Sequence, residues 1–115
     1  MPCPYLNPGP FVRGRPLVQG MRVALAAEVA RTHEELVERI LHAGLAYTDT
    51  VDRQTSLVIC NDLAAEQGKG YLARQLGVPV VPDAQFMDCV GAVVGGTSME
   101  EFTDVTAVHR QLALF

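Results

Sequence analysis

Short apolar runs separated by polar stretches dominate residues 21–96. Four runs are bounded by turn residues, as buried strands of a parallel sheet are: Arg22–Val29, Leu45–Thr48, Ser56–Cys60 and Val78–Val81. The apolar character of Ser56–Cys60 predicts a central strand. The proline in Val78–Val81 places that strand at an edge of the sheet, because proline cannot donate a ladder hydrogen bond.

The first polar stretch carries the signals of a helix. Thr32 and Glu35 form a capping box, and Gly44 supplies a left-handed stop. Glu35 and Arg39 are spaced to form an ion pair on the solvent side. The apolar stripe that follows the cap at helical spacing consists of Leu36, Val37, Ile40 and Leu41.

Two further helices are predicted around the fourth strand. One spans Gly68–Leu76 and ends at Gly77, after a loop over Asn61–Gln67. Asp83 is placed to cap the other, which stops at Gly95–Gly96. The residues that this third helix turns inward are Phe86, Met87 and Val90.

A last helix is predicted in the C-terminal tail, residues 97–115. Ser98 and Glu101 form its capping box, and its apolar stripe consists of Phe102, Val105, Val108 and Leu112. The alternation of strands and helices before it predicts an α/β fold over residues 21–96, with a four-stranded parallel sheet flanked by helices.

Residues 1–20 differ in composition from the rest of the chain. They contain five prolines and three glycines: Pro2, Pro4, Pro8, Pro10, Pro16, Gly9, Gly14 and Gly20. Prolines at this density disfavour a helix and favour an extended spacer. We therefore expect a linker that joins the domain to an upstream part of a longer protein. The alternative is that residues 1–20 fold back on the domain as an added strand.

Composition and charge exclude several classes of protein. The net charge is −4, from 13 acidic and 9 basic side chains, so there is no basic field to gather nucleic acid. The three cysteines are odd in number and form no CxxC pair, which indicates neither a disulfide framework nor a zinc site. No apolar run approaches the roughly 18 residues of a membrane span, and there is no signal peptide. We expect a cytoplasmic protein without a membrane partner.

The stretch Gln67–Val81 begins with a glycine–lysine–glycine sequence, which is typical of an anion-binding helix start. A Walker loop needs GxxxxGK followed by Ser or Thr, but here Gly68–Lys69 is followed by Gly70 and the position five before Gly68 is Leu63. No GxGxxG follows the first strand either. The stretch is therefore not predicted to bind a nucleotide.

The order of the elements and several local patterns resemble the BRCT domain over roughly residues 21–95. The matching patterns are Ala43–Gly44 after the first helix, Thr55–Ser56–Leu57–Val58 at the third strand, Lys69 at the second helix and Asp88–Cys89 in the third. The tryptophan position of that family falls at Gln85, and Phe86 is similar to the phenylalanine of the bacterial branch, found in NAD-dependent DNA ligases. The resemblance implies a three-layer fold and a non-catalytic module of DNA replication or repair that needs no cofactor.

The resemblance also suggests a phosphate site around Lys69. In phosphate-binding members a Ser or Thr and a Gly end the first strand, and a lysine opens the second helix. Lys69 matches that lysine, but the other two positions read Ala26–Ala27, and Arg31 is the nearby residue that could supply charge. Lys69 and Arg31 are thus tentative ligands for a phosphate such as a DNA end, and the alternative is that Lys69 is a solvated lysine.

The last five residues, Gln111–Phe115, closely resemble the bacterial sliding-clamp-binding motif QLxLF. The resemblance implies that Gln111 hydrogen-bonds at the rim of a cleft on the clamp, and that Leu112, Leu114 and Phe115 fill it. The alternative is that Leu112 and Phe115 continue the apolar stripe of the last helix and pack on the domain. Both can hold if the tail docks on its own domain until a clamp competes for it.

The sequence contains only weak signals for a metal site, a catalytic histidine or a small phosphate-binding enzyme. Asp49, Asp52 and Asp62 could suggest a metal-dependent nuclease, but their loops fit turn formation. The three histidines His33, His42 and His109 lie far apart, so no catalytic set can be argued. A flavodoxin-like phosphate-binding enzyme would need a cradle or nucleophile after the first strand, where the chain has Ala26–Ala27–Glu28.

We therefore expect a BRCT-like module tethered to the sliding clamp by its tail. Its other partners would be replication or repair proteins and, weakly, DNA ends. The parent that fits the clamp motif best is an epsilon-like 3′–5′ exonuclease of DNA polymerase III, and the second is a DNA ligase. Both parent proteins are implied by the resemblance alone, and either one would act at the nucleoid.

Overall fold

A computed structural model describes residues 4–97, which form a four-stranded parallel sheet and three helices. The strands are β1 Arg22–Leu25, β2 Ala46–Thr48, β3 Leu57–Ile59 and β4 Val80–Val81, and the helices are α1 His33–His42, α2 Gly68–Leu76 and α3 Asp83–Val90. The strand order is β2-β1-β3-β4, with every pairing parallel. The predicted α/β class, the inner position of β3 and the edge position of β4 are confirmed.

Side chains alternate between two apolar cores on opposite faces of the sheet. Val23 and Leu25 of β1 point into one core, which also contains Leu36 of α1 and Phe86 of α3. Ala24 of the same strand belongs to the other core, together with the α2 and β4 residues Ala73 and Val80. The helices therefore cover both faces, α1 and α3 on one and α2 on the other.

The predicted helix signals are correct at the caps of α1 and α2. The Thr32 side chain accepts a hydrogen bond from the Glu35 backbone N–H at 3.2 Å, as in a capping box. Gly77 ends α2 in the left-handed conformation with φ of 76°. On α1, Leu36 and Ile40 are buried as predicted, whereas Leu41 is exposed.

The third helix ends earlier than predicted, at Val90 rather than at Gly95–Gly96. After a turn at Gly91–Ala92, Val94 forms a parallel bridge with Val18, and its N–H bonds to the Leu17 carbonyl at 2.9 Å. The glycines thus follow a strand-like segment and not a helix.

The first strand is also shorter than its apolar run, which extends to Val29. After Leu25 the backbone turns toward the loop that follows β3, and the Asn61 N–H donates to the Glu28 carbonyl at 2.6 Å. This turn brings the loops after β1 and β3 together at the carboxyl edge of the sheet.

Residues 4–20 differ from the extended spacer predicted for residues 1–20, since they pack along the domain. Phe11 and Leu17 are 4% and 1% exposed and belong to the same core as α1 and α3. The Phe11 N–H bonds to the Ser56 carbonyl at 3.0 Å, and the Leu6 N–H bonds to the Thr97 carbonyl at 2.9 Å. The proline-rich segment is therefore part of the folded domain from residue 4 onward.

Candidate functional site

The carboxyl ends of β1 and β3 form the edge where ligands bind in open parallel sheets. Two loops meet there, residues 26–32 after β1 and residues 60–67 after β3. Lys69 follows the second loop as the second residue of α2, and its side chain is half-buried. The structure thus places Lys69 near the edge where the phosphate site was predicted.

An acidic pocket of about 500 Å³ occupies this edge. Its lining residues are Glu28, Asp62, Ala64, Ala65, Glu66 and Gln67. Three of the six are carboxylates, and like charges repel an anion that has to share their site. The acidic pocket, whose lining does not include Lys69, is therefore chemically unsuited to a phosphate.

Arg31 lies in the loop between β1 and α1. The N-cap Thr32 separates it from α1, which packs on the core opposite to that of α2. Its guanidinium pairs with Glu35 at 3.1 Å, both side chains being exposed. Glu35 therefore pairs with Arg31 and not with Arg39 as predicted. Within residues 4–97 no hydrogen bond or ion pair joins Arg31 to Lys69.

Asp83 holds the loop after β1 from the start of α3. One oxygen of its buried carboxylate accepts hydrogen bonds from the backbone N–H groups of Ala30 and Arg31, at 2.7 and 2.9 Å. Its own N–H donates to the Asn61 side chain at 2.8 Å. The predicted role of Asp83 as the cap of α3 is wrong, because Pro82 occupies that position. The Asp83 carboxylate accepts hydrogen bonds from the loop after β1 instead.

Two opposing effects act on the pKa of Asp83. Burial raises it by penalising the charged form, while the hydrogen bonds from Arg31, Ala30, Asn61 and Ala84 together lower it. The net result is a pKa below the ordinary value, and the carboxylate is charged at neutral pH.

Cys60 lies behind the acidic pocket and is fully buried. Its sulfur lies 3.5 Å from the Glu28 carboxylate and 3.3 Å from the Asp62 carbonyl, the two acceptors that its single proton can reach. Burial and the neighbouring carboxylates raise its pKa, and the Asp62 carbonyl only partly opposes them. A buried thiol with a raised pKa is a poor nucleophile. Gly70 packs against it, and a Cβ at Gly70 would lie 3.0 Å from the Cys60 sulfur.

Two of the aspartates and one of the histidines singled out in the sequence have local roles. Asp52 and Asp62 each accept a hydrogen bond from the backbone N–H two residues on, at 2.8 and 3.1 Å, which is how aspartate forms a turn. The His33 ring contacts the Ala26 carbonyl at 3.0 Å. In the part of the chain that the structure describes, no group of three His, Cys, Asp or Glu residues could hold a metal ion.

The clamp motif lies outside the described residues. This applies to all four of its predicted site residues, Gln111, Leu112, Leu114 and Phe115, and also to the last predicted helix. The acidic pocket, in contrast, is described but was not foreseen. Its carboxylates are separated by up to 38 positions, from Glu28 to Glu66, and no sequence motif links them.

Comparisons with known proteins add no identification. No protein-family model matches the chain, and no solved structure gives a significant match. Across residues 4–97, none of the helices has the length and apolar character needed to cross a bilayer. The chain is thus characterised by its α/β fold, its acidic pocket and its sequence motifs.

Proposed function

We propose that this chain is a BRCT-like, non-catalytic interaction module of a bacterial replication or repair protein, bound to the sliding clamp through Gln111–Phe115. The parent that we favour is an epsilon-like 3′–5′ exonuclease of DNA polymerase III, with a DNA ligase as the alternative. Either parent acts at the nucleoid in the cytoplasm. The module itself requires no cofactor.

The observation that carries the proposal is the sequence Gln111–Leu112–Ala113–Leu114–Phe115. All four specified letters of the clamp motif are present in order. Three of them are large apolar side chains, which gain free energy when an apolar cleft removes them from water. Glutamine supplies a directional hydrogen bond at the rim of such a cleft.

The geometry of the described residues supports a protein partner over a phosphate. The parallel sheet, with two helices on one face and one on the other, agrees with the fold that the BRCT resemblance implies. The acidic pocket beside Lys69 and the pairing of Arg31 with Glu35 both disfavour capture of a DNA end. We therefore assign the phosphate role no part in the proposal.

A titration of a bacterial sliding clamp with the full chain, followed by fluorescence anisotropy, tests this proposal. We expect micromolar binding that the double substitution Leu112→Ala and Phe115→Ala weakens by at least about a hundredfold. Each truncation removes about 1.5–3 kcal/mol of apolar burial, which is tenfold or more in affinity.

Ala113 provides the matched control, because the motif does not specify its position. Ala113→Ser should bind like the unsubstituted chain. Equal affinity of the double variant and the unsubstituted chain would contradict the proposal, and so would the absence of binding at clamp concentrations well above micromolar.

A further inference from the structure

A shallow apolar groove of about 190 Å³ lies in the N-terminal segment and shares no lining residue with the acidic pocket. We call it the proline-walled groove. Its lining residues are Pro10, Val12, Arg15, Pro16, Val18 and Met21. Val12 is 53% exposed, whereas Met21 is buried. The groove is therefore an apolar depression that opens to solvent.

The groove adjoins the segment that leads into the tail. Val18, one of its lining residues, forms a parallel bridge with Val94, and the neighbouring Gln19 N–H bonds to the Val94 carbonyl at 3.0 Å. Val94 is itself 43% exposed and extends the apolar surface. The described chain ends three residues later, at Thr97.

We propose that the tail of this same chain, residues 98–112, docks in the proline-walled groove through the apolar stripe of its predicted helix. That stripe consists of Phe102, Val105, Val108 and Leu112. A helix with a single apolar stripe requires a surface to cover it. The five residues from Thr97 to Phe102 span at most about 17 Å, so the start of the stripe stays near Val94 and the groove beside it.

Charge complementarity also supports the tail as the occupant of the proline-walled groove. The side chain of Arg15 at the groove has no hydrogen-bond or ion-pair partner among residues 4–97. The start of the tail carries three carboxylates, Glu100, Glu101 and Asp104. An exposed pair between Arg15 and one of them adds little affinity, but it favours one orientation of the helix in the groove.

Docking has a regulatory consequence, which rests on the proposed clamp function. Leu112 belongs both to the helical stripe and to the clamp motif, so it cannot occupy the groove and the clamp cleft at once. The groove then competes with the clamp, and the apparent affinity for the clamp falls with the fraction of undocked tail.

Hydrogen–deuterium exchange of the full chain, read by mass spectrometry over peptides from residues 100–110, tests the docking without a clamp. We expect Val12→Asp to accelerate their exchange about tenfold, the effect of losing one valine contact. Leu72→Asp is the matched control, because Leu72 is 44% exposed on α2 and away from the groove. Val105→Asp should reproduce the effect of Val12→Asp from the tail side.

Two outcomes would overturn the docking proposal. Equal exchange in the unsubstituted chain and all three variants would mean that the tail does not dock. Protection that disappears on tenfold dilution would assign the groove to a second copy of the chain. A clamp titration separates the docking proposal from the clamp proposal. If both hold, Val12→Asp should bind the clamp severalfold more tightly than the unsubstituted chain. If the clamp binds no variant, the clamp proposal is overturned and the exchange result still tests the docking.

Discussion

Asp83 stabilises the carboxyl edge of the sheet more than its position in the sequence suggests. Its carboxylate satisfies two backbone N–H groups that lie 52 and 53 positions earlier, in the loop between β1 and α1. Both donors lie just before the Thr32 cap, so the carboxylate holds the backbone that leads into α1. A single buried side chain thus joins α3 to the loop that borders the acidic pocket.

Substitution of Asp83 should destabilise the domain in a pH-dependent way. Asp83→Ala leaves both N–H groups without their acceptor and should cost about 2–3 kcal/mol of unfolding free energy at pH 7. Asp83→Asn retains an acceptor oxygen and should cost less. Because the folded pKa is lowered, the stability contributed by the charge is present above the unfolded pKa near 3.9 and is lost as pH falls through the folded value.

Urea unfolding of the unsubstituted domain and Asp83→Asn from pH 7 to pH 3 measures this contribution. The difference between the two proteins should shrink below about pH 4. A difference that stayed constant over the whole range would show that the charge of Asp83 contributes nothing.

At the scale of elements, the N-terminal segment behaves as a part of the core. Phe11 and Leu17 are buried in the same cluster as the helices α1 and α3. The Arg13 side chain also donates to the Val80 carbonyl on the edge strand β4, at 2.8 Å. The segment therefore contacts both the core and a sheet edge.

Phe11→Ala should consequently lower the unfolding free energy by about 3–5 kcal/mol, the usual cost of removing a buried phenylalanine. Leu41→Ala is the control, because Leu41 is 51% exposed and its truncation should change the free energy by less than about 1 kcal/mol. Equal midpoints of thermal unfolding for the two variants would indicate that the segment is a spacer after all.

The elements that local chemistry determines could be predicted from the sequence. The range Gly68–Leu76 was predicted correctly for α2, because Gly77 provides a left-handed stop that other residues adopt only with strain. Residues 4–20 could not be assigned in this way. Their prolines indicate an extended backbone, but extended backbone also runs along folded domains, and only tertiary contacts reveal which occurs. The large apolar residues Phe11 and Leu17 were the sequence signal that this segment packs on the domain.

The candidate site was predictable only in part, for a related reason. Lys69 could be located because it opens a helix. The acidic pocket could not, since Glu28, Asp62 and Glu66 come together through the pairing of β1 with β3 and the turns that follow. The function of Asp83 was missed in the same way, because its partners lie on another loop.

At the scale of the whole molecule, the uneven placement of charge opposes nucleic-acid binding. The net charge is −4, and three carboxylates line the edge at which Lys69 lies. Any contact with DNA must therefore overcome both the overall charge and the local charge.

A 5′-phosphorylated DNA duplex should accordingly bind more weakly than about 100 µM at physiological salt. The double substitution Glu28→Gln and Glu66→Gln should strengthen binding by removing two like charges, and adding Lys69→Ala to it should reverse the gain. Anisotropy titrations at two salt concentrations measure these changes. Tight binding by the unsubstituted chain that persisted in moderate salt would contradict this prediction.

The hydrogen bond between Leu6 and Thr97 has a consequence for protein architecture. It joins the two ends of the described domain, so the chain enters and leaves at one point on the surface. Domains with adjacent ends tolerate circular permutation and insertion into a host protein. This fold could therefore be spliced into a surface loop of another protein without forcing the flanking host residues apart.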